Sequence, residues 1–164
     1  MHAPQRTALP HSRRRPLAAL LASVVAIIAF APMVLADSAQ VTRGDFHAFA
    51  AGVGLPIAGR AQMVRTADNK TIVSVHLEGL DANTTYPAHV HAAPCGVNTA
   101  DGHYRFNGGG AGVPPNEIWP GFTTNGAGVG NGSATADARA GEAAVSVVVH
   151  DPTTKAKIAC ANLS

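Results

Sequence analysis

The chain has 164 residues, with 12 Lys and Arg against 10 Asp and Glu, and only 5% of its residues are aromatic. That length suits one domain behind a short leader. Beyond residue 36 no Lys/Arg run and few aromatic rings are available to meet phosphates or stack on bases, which excludes a nucleic-acid surface.

Residues 1–36 read as a secretory signal peptide: Arg13, Arg14 and Arg15 precede an apolar run from Leu17 to Phe30, and Val34 and Ala36 are small residues placed for cleavage. The run is shorter than the ~20 residues a spanning helix needs, so no membrane attachment is expected after cleavage. Ser12 to Leu17 loosely resembles a twin-arginine export signal, from which Pro16 departs. The exported chain, residues 37–164, keeps eight of the basic residues and all the acidic ones, so the excess of positive charge belongs to the leader. The destination is a periplasm, a cell wall or the medium.

Strand-like segments separated by turn residues fill the remainder, and no long stretch has helical periodicity. The apolar run Phe46–Val53 and the segment Ala58–Thr66 read as an opening hairpin. Val73, Val75 and Leu77 alternate with Ser74, His76 and Glu78, which predicts a strand with one face buried and His76 exposed. Thr85–His91 is the next strand, followed by a long Gly-, Pro- and Asn-rich loop from Ala92 to Trp119. Ser133–Ala138, Ala143–His150 and Ile158–Asn162 complete the set. The pattern predicts an all-β fold, a Greek-key β-sandwich or flattened barrel of about eight antiparallel strands.

The chemistry lies in four histidines. His89 and His91 stand two apart in the string HVHAAPC, so on a strand their imidazoles share one face, about 7 Å apart at the backbone, while Val90 points to the core. His103 follows in DGHYRFN, and His150 closes the apolar run from Val145. An all-imidazole set suits copper, zinc, iron or nickel and leans towards copper. Each histidine alone would read as a surface or satisfied core residue. Cys95 and Cys160 are the only cysteines, and in an exported chain an even count reads as a disulfide.

The order of these residues resembles the copper/zinc superoxide dismutase family: His-Val-His, a Cys, a Gly-flanked His before an aromatic residue and Phe-Asn, then Val-Val-His-Asp and Ile-Ala-Cys. The segment with Gly59 and the strings VSVHLEGLDANTTYPAHVH and SVVVHDPTTKAKIACANL extend the likeness over most of residues 46–164. The resemblance implies the sandwich fold, one copper ion held by His89, His91 and His150, and His103 in the place of the imidazole that bridges copper and zinc. It further implies dismutation of superoxide, with His103 delivering a proton, and makes Cys95–Cys160 the family disulfide.

The chain departs from the family in three places. No histidine lies between His103 and His150, where zinc-binding members supply further ligands, so zinc is not expected. Glu117, within the string that replaces them, can accept a hydrogen bond from His103 and fix its ring; the alternative is a solvated loop carboxylate. Nine residues separate His150 from Cys160, too few for the long charged loop of larger members. Finally, Lys157 stands where the resemblance implies an arginine beside the metal; it keeps the charge and loses the planar fork. With Lys155 it could draw an anion to the site. The expected activity is copper-only superoxide dismutation outside the cytoplasm, and the alternative is a non-catalytic copper-binding or copper-buffering module of the same fold.

Overall fold

The computed structural model describes residues 38–164; the signal segment assigned to 1–36 lies outside them. Ten strands form here, three of them only two residues long: β1 Gln40–Asp45, β2 His47–Ala48, β3 Ala58–Arg65, β4 Thr71–Glu78, β5 Thr85–Tyr86, β6 Ala88–His91, β7 Phe122–Thr123, β8 Gly130–Ala136, β9 Ser146–His150 and β10 Lys157–Asn162. One four-stranded sheet has the order β1-β3-β4-β8, a second has β2-β10-β9-β6, and β5 pairs with β7. All pairs are antiparallel, and long connections bring β8 beside β4 and β9 beside β6. Both large sheets keep free edges, so the body is an all-β sandwich and not a closed barrel. Among the described residues no helix is long and apolar enough to cross a membrane.

The pleat decides which side chains meet. On β4, Val73, Val75 and Leu77 are buried and Ser74, His76 and Glu78 are exposed, as the alternation predicts. They pack with Ala61 and Met63 of β3 against Val90, Val147, Val149 and Ile158 of the facing sheet. His76 sits on the outside, its ring bonded across the sheet to Asn131 Oδ1 at 2.8 Å. Burying a side chain such as Leu77 contributes roughly 1.5–3 kcal/mol.

Two strand assignments change. The opening hairpin pairs β1 with β3, while the apolar run Phe46–Val53 mostly crosses between the sheets and contributes only β2 and a 3-10 turn at Ala50–Gly52. The reason is burial: of that run only Phe46 and Gly52 are enclosed. The segment Thr85–His91 splits at Pro87, which has no N–H for a ladder; β5 joins β7, and β6 joins β9.

The second sheet is covered on both faces. Val147 and Val149 face the inter-sheet core, whereas Val148 turns outward onto Cys95, Ala100 and Cys160. The Cys95–Cys160 disulfide forms, fastening the loop after β6 onto β10. His89, opposite Val148 in the ladder, shares this outer face with His91 and His150.

Candidate metal centre

Three imidazoles come from adjacent strands. His89 and His91 flank the buried Val90 on β6, and His150 ends β9, two residues after the outward-facing Val148. The fourth is delivered by backbone pairing: Ala92 N–H donates to Gly102 O and Tyr104 N–H to Val90 O, setting His103 opposite His91 in an isolated bridge. Ring centroids lie 4.1 Å apart for His89 and His103, 4.8 Å for His89 and His150, and 4.9 Å for His91 and His103. One ligand nitrogen from each of the four lies within 4.8 Å of the others, so the group can hold a metal ion.

The tautomers follow from the partners. His91 Nδ1 faces the carbonyls of Ala100 and Asp101 at 3.1 and 3.2 Å, and His150 Nδ1 faces that of Lys155 at 3.0 Å. Carbonyls only accept, so both Nδ1 atoms carry the proton and both Nε2 atoms present a lone pair. Among the described residues, the buried side-chain nitrogens and oxygens with no hydrogen-bond partner are His91 Nε2, His150 Nε2 and His89 Nδ1. Buried polar atoms are normally paired; here all three orphans belong to one cluster, and those of His91 and His150 are lone pairs, as a metal site requires.

Charge points the same way. Burial foremost, then the neighbouring imidazoles, pushes His89 down to about 3. Burial likewise pushes His91 down to about 4, against the opposing effect of its bond to Ala100, and lowers His150. All three are neutral at pH 7, the form that binds metals.

His103 has a different support. Its Nδ1–H donates to Glu117 Oε2 at 2.7 Å, and the same oxygen accepts from Trp119 Nε1 at 2.8 Å. Glu117 Oε1 accepts from Arg105 Nε at 2.8 Å. The carboxylate is 2% exposed, so it is no solvated loop residue. Burial alone would raise it, but the bonds from Trp119, Arg105 and His103 outweigh this and hold it at about 2. The loop reaches this position because Val90 N–H donates to Ile118 O and because Asn116 ties Asn107 and Ala111 together. Arg105 and Trp119 were not legible as site residues. The one available signal was that the only tryptophan lies two residues after Glu117.

Trp119 also sets its edge against His89, at 5.1 Å and 67°. Lys157 stands opposite His150 in the β9–β10 ladder, and its ammonium donates to the carbonyls of Thr99 and Asp101. Lys155 contributes its carbonyl to His150, while its ammonium turns to Pro152 O. His47 is exposed on β2 and is not one of the ligand group.

No protein-family model matches this chain, and no curated protein matches it significantly.

Proposed function

We propose that this chain is an exported copper-dependent superoxide dismutase in which one copper ion is held by His89, His91, His103 and His150. The observation that carries the reading is the convergence of four imidazoles, one nitrogen of each within 4.8 Å of the others, with three buried nitrogens of the group unpartnered. Neutral imidazole donors without thiolate or carboxylate favour copper among the metals this set accepts. When bound, copper supplies a one-electron couple, by which one superoxide loses its electron to give dioxygen and a second gains it and takes two protons to give hydrogen peroxide.

The chain's own residues set the conditions for that chemistry. His89, His91 and His150 are fixed by strands and, for the last two, by carbonyl acceptors, so their lone pairs converge without rearrangement. His103 has 29% of its side chain exposed, where His91 and His150 are buried, and a cleft lined by Gly102, His103 and Arg105 leads to it. With Glu117 keeping Nδ1 protonated and the ring aligned, Nε2 is the nitrogen that would hold copper in one state and carry a proton once released from it. The carboxylate thereby occupies the nitrogen that a second metal would need, which supports a site for copper without zinc. Lys157 adds positive charge beside the cluster, and its attraction for an anion weakens with salt. The disulfide accords with an oxidising, extracytoplasmic setting.

One observation favours a second reading, a copper-buffering module. The segment after β9 is a tight turn closed by Asp151 N–H on Ala156 O, and the Lys157 ammonium is committed to backbone carbonyls, so little is left to guide an anion. Superoxide dismutation by the chain loaded with copper, with zinc or with no metal decides between them. Fast turnover in the copper form alone is expected; stoichiometric copper binding with negligible turnover would replace the enzyme by the buffering module.

A further inference from the structure

Between the disulfide and His103 the backbone does something costly. Asn98, Thr99, Ala100 and Asp101 have φ of 45°, 50°, 66° and 43°, four consecutive non-glycine residues on the left-handed side. There the Cβ crowds the following carbonyl, and a β-branched residue such as Thr99 is the least suited. Backbone of this kind persists where its surroundings over-determine it.

Those surroundings can be named. Ala100 is fully buried against Cys95, Val148 and Cys160. Cys95 is fixed twice to β10, by its disulfide and by its N–H on Asn162 Oδ1 at 2.8 Å. From the other end of β10 Lys157 reaches the turn, donating to Thr99 O and Asp101 O. The twist of the turn exposes successive carbonyls on one side: those of Ala100 and Asp101 receive the Nδ1–H of His91. Asp101 O is thus shared by the lysine and the histidine.

We propose that Lys157 is a positioning residue whose ammonium locks the left-handed turn Asn98–Asp101, so that its carbonyls hold the proton of His91 on Nδ1 and keep the Nε2 lone pair in the cluster. A lysine serving only as a source of charge has no need of two carbonyl bonds, and it would leave the turn's conformation unexplained. The consequence for metal affinity rests on the copper reading above; the link from Lys157 to the His91 ring does not.

The test uses the full chain. In the metal-free protein with labelled imidazoles, the His91 Nδ1–H is expected as a slowly exchanging signal. Lys157→Met keeps the aliphatic stem and removes the donors; exchange of that proton should quicken at least tenfold, and Cu2+ measured against a competing chelator should bind about tenfold more weakly. Lys157→Arg, which can again donate to both carbonyls, should restore both properties. Thr99→Gly removes the penalty on positive φ and should shrink the effect of Lys157→Met. Where Lys157→Met does not fold, Lys157→Leu, which also lacks a donor, gives the same comparison. Unchanged His91 Nδ1–H exchange in the variant without the ammonium would overturn the proposal, even if anion kinetics slowed. If exchange responds as expected but no form of the chain binds copper, the metal reading falls and the positioning role stands.

Discussion

Acidification of the metal-free chain should undo the fold through the cluster itself. His89 and His91 are held at about 3 and about 4 in the folded state, against an ordinary 6.5. Their folded values are depressed, so below pH 6.5 the unfolded chain binds protons that the folded chain refuses, and stability falls as pH falls. The loss starts near 6.5 and continues until the pH reaches about 4 for His91 and about 3 for His89. Lowering the pH from about 7.5 to about 5 therefore removes about 2 kcal/mol per histidine, about 4 kcal/mol for the pair, a large share of the 5–15 kcal/mol that holds a typical domain. His150 shifts in the same direction and adds to the slope. Glu117, held at about 2 against an ordinary 4.5, adds a loss in the same direction only once the pH falls below about 5, where the unfolded chain takes up the proton that the folded carboxylate refuses. Denaturant unfolding followed by the single tryptophan measures the loss directly, and a variant with His89 and His91 both replaced by Gln should lose most of the pH dependence. A change below about 1 kcal/mol in the parent chain, or an undiminished change in the variant, would refute the reasoning.

Glu117→Gln leaves at least one of three inward-facing donors without an acceptor and should cost about 1–3 kcal/mol of stability, with dismutation slowed more than copper stoichiometry; titration with Cu2+ beside activity separates the two. Trp119→Phe keeps a ring edge on His89 but drops the donor to Glu117, for a loss of about 1 kcal/mol by chemical denaturation. His150→Ala should abolish stable copper binding while His103→Ala retains most of it and turns over slowly, and equal copper loss in both would remove the proton-delivery role. Reduction of Cys95–Cys160, which closes a separation of 65 residues, should cost about 4 kcal/mol by the chain-entropy relation, read as a lowered midpoint in denaturant.

Residues whose environment repeats along the chain were readable, and those whose environment is assembled from afar were not. Val73, Val75 and Leu77 announce a half-buried strand because period two is the pleat itself, and His89 and His91 announce one face for the same reason. β1 escaped notice because Gln40–Asp45 is a largely exposed strand with no apolar period, while the apolar Phe46–Val53 drew attention to a crossing. The ligand group was legible as a set because four imidazoles and two cysteines have an order along the chain. The bond from His103 to Glu117, 14 residues away, was one of two readings of that carboxylate, but its other donors, Arg105 and Trp119, carried no pattern that tied them to it. The contact of Lys157 with Thr99 spans 58 residues, and neither residue type hints at the other.

The division of the site between sheet and loop has a consequence for how such a centre can change. Three of the four imidazoles are fastened to β6 and β9, whose register also builds the sandwich core, so altering them puts the fold at risk. The partners of His103 sit on a loop closed by its own amide bonds through Asn107 and Asn116. Exchanging that loop leaves the platform standing, so the chemistry around His103 can be rewritten, by mutation or by grafting, without redesigning the domain that carries it.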